Sequence, residues 1–203
     1  YSATLTGNAG IGKNNPNTNK TWLTYGDNNT KSTESVTNTY TFGIPVFKYT
    51  GNDTPLAEAK FTLYSDSDCS TAIELIKAGT GETYRRFITK DNAVNKVTEI
   101  TTNASGKFNI TGLNSGTYYL KEIEAPKGYN KLSAPITVVI DKDGAIKVND
   151  SQDATTEVKV LNNTGTILPT TGGNGTSLIY FLGAVLALVS GVVLITKQRM
   201  KNS

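Results

Sequence analysis

The sequence predicts an all-β fold: an antiparallel sandwich over residues 42–165, followed by a single C-terminal transmembrane helix. Three observations carry this reading of the 203-residue chain. Between Phe42 and Thr164, short segments rich in β-branched and aromatic residues recur with turn residues between them. From Leu178 to Ile195 the chain is apolar and carries no charge. The net charge of +3, from 20 Lys+Arg against 17 Asp+Glu, equals the three cations of the last residues, Lys197, Arg199 and Lys201.

The elements follow in order. Residues 1–41 are dense in Asn, Thr and Gly, with apolar points at Leu5, Ile11, Trp22, Leu23 and Tyr25. Such a segment cannot bury a core alone, so it reads as the C-terminal end of a preceding domain. No initiator Met and no export-type segment stands at Tyr1, so an upstream export signal is expected. "FGIPVFKYT" places Ile44, Val46 and Lys48 on one face of a first strand. "AKFTLYSD" alternates Phe61 and Leu63 against Thr62 and Tyr64, whereas "STAIELIKAG" fits a short helix or a strand equally well. "TYRRFIT", "KVTEITT", "GKFNITGL" and "GTYYLKEIE" read as further strands. "APITVVID" enters the turn "DKDG" and returns as "AIKVND", a hairpin. "TTEVKVLNN" closes the set with Val158, Val160 and Asn162 on one face. About 120 residues are enough for an independent core.

Residues 166–176 form a linker, 177–196 the membrane span and 197–203 a basic tail. About 18 apolar residues make roughly 27 Å of helix, close to the hydrocarbon thickness of a bilayer. The trailing cations place the tail in the cytoplasm and everything before it outside. The exported part, residues 1–171, is then electrically neutral, which removes the electrostatic case for nucleic acid.

Composition excludes several chemistries. The chain has no histidine, so imidazole acid–base work, His-based triads and His metal ligands are absent. Its one cysteine, Cys69, permits no intrachain disulfide. "GNAGIGK" (Gly7–Lys13) has phosphate-loop spacing, but Asn14 stands where a magnesium-holding hydroxyl belongs and "NNPNTNK" cannot start a helix. "SDSDC" (Ser65–Cys69) lacks the turn glycine and closing glutamate of a calcium loop. No metal and no cofactor are expected.

Two stretches carry a resemblance. "LPTTGG", the apolar span and the basic tail resemble the cell-wall sorting signal of Gram-positive surface proteins. "YYLKEIEAPKGYN" (Tyr118–Asn130) resembles the E-box of Cna B-type, SpaA-like pilin domains, Y-x-L-x-E-T-x-A-P-x-G-Y, with Ile123 where Thr is common. "TPLAEAKFTLY" and "ASGKFNITGLNSGTYYL" fit the same immunoglobulin-like sandwich, and the likeness runs from about Thr39 to the C-terminus. Residues 1–38 resemble the end of a preceding pilin domain only loosely, through "NNPN" and "WLTYGDN".

The resemblance implies an isopeptide cross-link between a lysine of the first strand and an asparagine of the last. Lys48 and Asn162 match those roles, and Glu122 matches the catalytic acid. Burial of Lys48 beside Ile44 and Val46 favours the neutral, nucleophilic amine. Glu122, among Tyr118, Leu120 and Pro126, sits where the neutral acid is favoured and can donate to the amide oxygen. Asn163 rivals Asn162 but faces the other way by strand parity, and Lys60 is the weaker rival of Lys48.

For the C-terminus the resemblance implies a sortase, which would recognise Leu168, Pro169, Thr170, Thr171 and Gly172 and cleave after Thr171. The acyl group would pass to an amine of a neighbouring pilin subunit or of a peptidoglycan precursor. The expected function is therefore a structural subunit of a covalent pilus, wall-anchored after a transient membrane stage, with a host surface ligand as a further partner. The alternatives are a wall-anchored adhesin that uses this domain as a stalk, and the spacer and anchor of a wall-bound enzyme whose catalytic domain lies upstream.

Overall fold

A computed structural model describes residues 4–165, apart from 28, 80, 89, 90 and 92. Its strands are β1 (Asn17–Thr21), β2 (Thr24–Tyr25), β3 (Thr30–Lys31), β4 (Ser35–Thr39), β5 (Phe42–Thr50), β6 (Thr54–Pro55), β7 (Lys60–Tyr64) and β8 (Leu75–Lys77). They continue as β9 (Thr83–Arg86), β10 (Lys96–Val97), β11 (Glu99–Thr101), β12 (Lys107–Leu113), β13 (Gly116–Glu124), β14 (Ile136–Ile140), β15 (Ile146–Val148) and β16 (Val158–Leu161). One sheet has the order β10-β8-β9-β12-β5-β16, with β6 added to the end of β5. The facing sheet has the order β11-β7-β13-β14-β15.

The core lies between these sheets and follows the period-2 pattern. Phe42, Ile44, Val46 and Lys48 of β5 point inward, as do Tyr118, Leu120 and Glu122 of β13. β16 adds Val158 and Val160 on the same side, and Asn162 continues that alternation one residue past the strand. The ambiguous "STAIELIKAG" resolves as strand β8, with Leu75 fully buried. "KVTEITT" is one run in sequence but two strands in space: β10 edges one sheet and β11 the other.

The expectation of a wholly antiparallel sandwich is corrected at two places. β16 runs parallel to β5, and β9 runs parallel to β12. Tight hairpins force antiparallel neighbours, but β5 and β16 are joined through the whole domain and no short turn constrains them. Pro45 shows how the first strand tolerates a residue without an N–H. Opposite it, the Asn109 amide donates to Glu82 O, away from β5, so this pair exchanges no ladder bond. The Pro45 nitrogen faces the other flank, where β16 begins only at Val158 opposite Val46.

Ahead of the sandwich, β1 pairs with β4 and β2 with β3, and apart from Asn17 their residues are exposed. The Gly7–Lys13 stretch is a loop: Gly12 N donates to Thr41 O, and the Thr41 hydroxyl donates to Gly10 O. The linker, the sorting-type motif Leu168–Gly172, the span 177–196 and the tail lie outside the described residues. Among the described residues, no helix is long and apolar enough to cross a membrane.

Candidate functional site

Three strands bring three polar side chains into one apolar interior. Lys48 comes from β5, Glu122 from β13 of the opposite sheet, and Asn162 from the residue that follows β16. Their exposures are 0%, 1% and 1%. The parallel register sets Val160 opposite Lys48, so Asn162 lies two residues on and on the same face. The Asn162 amide donates to Tyr49 O, which pins the end of β16 to β5.

The Glu122 carboxylate bridges the other two. Its Oε1 lies 3.2 Å from Lys48 Nζ and accepts a 2.8 Å hydrogen bond from Asn162 Nδ2. Its Oε2 accepts from the backbone N–H of Leu132, also at 2.8 Å. Lys48 Nζ further donates to Val160 O at 3.4 Å. Asn162 Oδ1 is buried without a hydrogen-bond partner, so the carbonyl of the amide is the one polar atom of the trio left open. Burial pushes the Lys48 amine below its ordinary value of 10.5, and the charge and hydrogen bond of Glu122 oppose that shift only in part. An amine and a carboxamide thus meet at one carboxyl group in a place closed to water.

The rival residues sit elsewhere. Lys60 is on β7 and pairs at the surface with Glu124 and Glu99, which hold its ammonium charged. Asn163 is exposed, and its backbone oxygen accepts from Asn130 N. Asp66 is engaged by its own turn, accepting from the Ser70 and Thr71 amides. Sequence reading missed the backbone groups of the site, Val160 O and Leu132 N–H, because main-chain atoms leave no residue-type signal.

A two-sheet β-sandwich that seals a lysine, a carboxylate and an asparagine away from solvent is a structural module built around a buried polar set, not an open cleft for a diffusing substrate. Residues 43–154 match the family model SpaA, a prealbumin-like fold domain, and the chain belongs to that family. No curated protein matches the chain. Among solved structures it is similar to the group B streptococcus pilus 2b backbone protein, at 29% identity and TM-score 0.44, over 68% of this chain and 46% of that one. It is also similar to a 35 kDa C-terminal fragment of the major pilin GBS80 of Streptococcus agalactiae, at 25% identity and TM-score 0.48, over 68% and 49%. A third is GBS52, a minor pilin of Streptococcus agalactiae, at 26% identity and TM-score 0.41, over 62% and 45%. In each case this chain spans less than half of the matched chain's length.

Proposed function

We propose that the chain is part of a pilin subunit of a covalent, wall-anchored pilus, whose SpaA-type domain locks itself with a Lys48–Asn162 isopeptide bond. The observation that carries the cross-link is the position of Glu122 Oε1, in contact with both the amine and the carboxamide. Lys48 gives a proton to Glu122, and the neutral Nζ attacks Asn162 Cγ. Half a turn of the carboxamide exchanges Nδ2 for the unpartnered Oδ1 at Glu122, so the acid can polarise the carbonyl. As the tetrahedral centre collapses, Glu122 gives its proton to the departing nitrogen and takes one from Nζ, which keeps a single hydrogen in the new amide. One C–N bond forms, one breaks, and ammonia leaves. No cofactor enters, because the fold holds the reactants together.

The wall-anchoring half rests on the C-terminal sequence: the LPTTG motif at 168–172, the apolar run and the cations. In this role the chain is a substrate of a transpeptidase and turns over nothing but itself. Thr171 becomes the acyl donor, and an amine from a neighbouring subunit or from peptidoglycan accepts it. A single experiment tests both halves. Tryptic mapping of protein released from the wall of a producing cell should yield one branched species, lighter by one ammonia than its two peptides together. In it the Lys48 peptide is joined through Asn162 to a C-terminal peptide that begins at Val160 and whose last residue of this chain is Thr171. Separate, full-mass peptides would overturn the cross-link. Recovery of the intact apolar tail would overturn the sorting.

A further inference from the structure

The E-box-like stretch does not end at its glutamate. It runs on through Ala125, Pro126, Gly128 and Tyr129, none of which carries a group that reacts. The structure shows where these residues take the chain. Tyr129 N donates to Pro126 O, and Gly128 adopts a φ of 88°, a left-handed conformation that favours glycine. This turn sends the backbone toward the end of β16. Tyr129 bridges Thr164, and Asn130 N donates to Asn163 O at 3.0 Å, one residue after the proposed electrophile. Two residues on, Leu132 N donates to Glu122 Oε2 at 2.8 Å. The Lys131 ammonium ties the same segment back to β13 through Ile123 O.

We propose that residues 125–132 are a positioning element for the cross-linking reaction, acting through two main-chain N–H groups: Leu132 fixes the rotation of the Glu122 carboxylate, and Asn130 fixes the strand end that bears Asn162. The terminal torsion of a glutamate is broad and roughly two-fold, so rotamer preference alone does not hold Oε1 on its two partners. Anchoring Oε2 does, because a carboxylate is planar and fixing one oxygen aims the other. The inference rests on the isopeptide reading above and adds residues to it.

The test removes one main-chain N–H and leaves every side chain in place. The full chain is assembled by chemical ligation in denaturant, with the Leu132 amide replaced by an ester, and is folded by dilution into detergent. Intact mass then follows ammonia loss with time. A matched ester at Ser133, whose amide holds neither reactant, is the control. The Leu132 ester should slow ammonia loss by about tenfold or more, as expected for losing a hydrogen bond to a charged group. The Ser133 ester should follow the natural chain. Equal rates for the Leu132 ester and the natural chain, or equal slowing by both esters, would overturn the proposal. The second readout is the NMR resonance of the Glu122 carboxyl carbon in an Asn162→Ala background, where no cross-link can form. It should move with the Leu132 ester and stay in place with the Ser133 ester; an unmoved resonance is equally fatal. If the natural chain loses no ammonia, the isopeptide reading itself falls, while the carboxyl resonance still reports on the positioning contact.

Discussion

Lys48 and Glu122 are both withdrawn from water, and neither has the bulk solvent that normally stabilises its charge. Ion pairs in such settings often fail to repay their desolvation, so this one is weak evidence of stabilisation before any bond forms. In the proposed cross-linking its use lies in reactivity, since the burial that penalises the ammonium favours the amine with its lone pair free. A pH prediction follows for a protein that cannot react, such as Asn162→Ala. The unfolded lysine titrates near 10.5, and the folded one at a lower pH. Between those points the unfolded chain holds a proton that the folded chain has released, so raising the pH favours folding. Tyr84 and Tyr118, held by burial above their ordinary 10.0, act in the opposite sense only above that value. Urea midpoints of Asn162→Ala should therefore climb with pH on the alkaline side below 10, and adding Lys48→Met should flatten the climb. An unchanged slope in the double variant would assign the effect elsewhere.

At the scale of single elements, the strands that carry the site were the most legible part of the sequence. β5, β13 and β16 each alternate large apolar residues on one face, and a lone Lys, Glu or Asn on that face stands out against its neighbours. Parity also separated Asn162 from Asn163. Two things were not legible. Strand direction across a long crossover has no local sequence mark, so the parallel β5–β16 register was invisible. The second was the support behind the strands, where main-chain contacts decide geometry. Gly106 is such a support: Lys48 N donates to its carbonyl, its φ is 67°, and an added Cβ would sit 2.3 Å from Lys48 O. Gly106→Ala must strain that turn or push β5 away from it. In the Asn162→Ala background, chemical denaturation should show a loss of about 1–3 kcal/mol. Gly51→Ala, where no heavy atom lies within 4 Å of the added Cβ, should stay within about 0.5 kcal/mol. Equal effects at the two sites would contradict the role given to Gly106.

On the scale of the whole molecule, the proposed cross-link would join the strand by which the chain enters the sandwich to the one by which it leaves. These strands are also hydrogen-bonded neighbours in parallel, so a pull on the two ends shears β5 against β16 directly. A Lys48–Asn162 bond would sit on that line of load and close a loop of about 115 residues. By analogy with a disulfide it would remove roughly 4–5 kcal/mol of unfolded-state entropy. Under tension the mechanical consequence would be larger, because backbone hydrogen bonds yield to shear while an amide bond does not break on that scale. With the bond in place, residues between 48 and 162 would not extend, whatever happened to the sheets. Single-molecule stretching of the chain, gripped at its N-terminus and just after Gly165, separates the cases. Asn162→Ala should show an unfolding step of roughly 380 Å in contour length, the reach of the freed segment at about 3.3–3.6 Å per residue. The natural chain should lack that step at every force the handles survive. A step of this size in cross-linked material would show that the load travels by some other route than from Lys48 to Asn162.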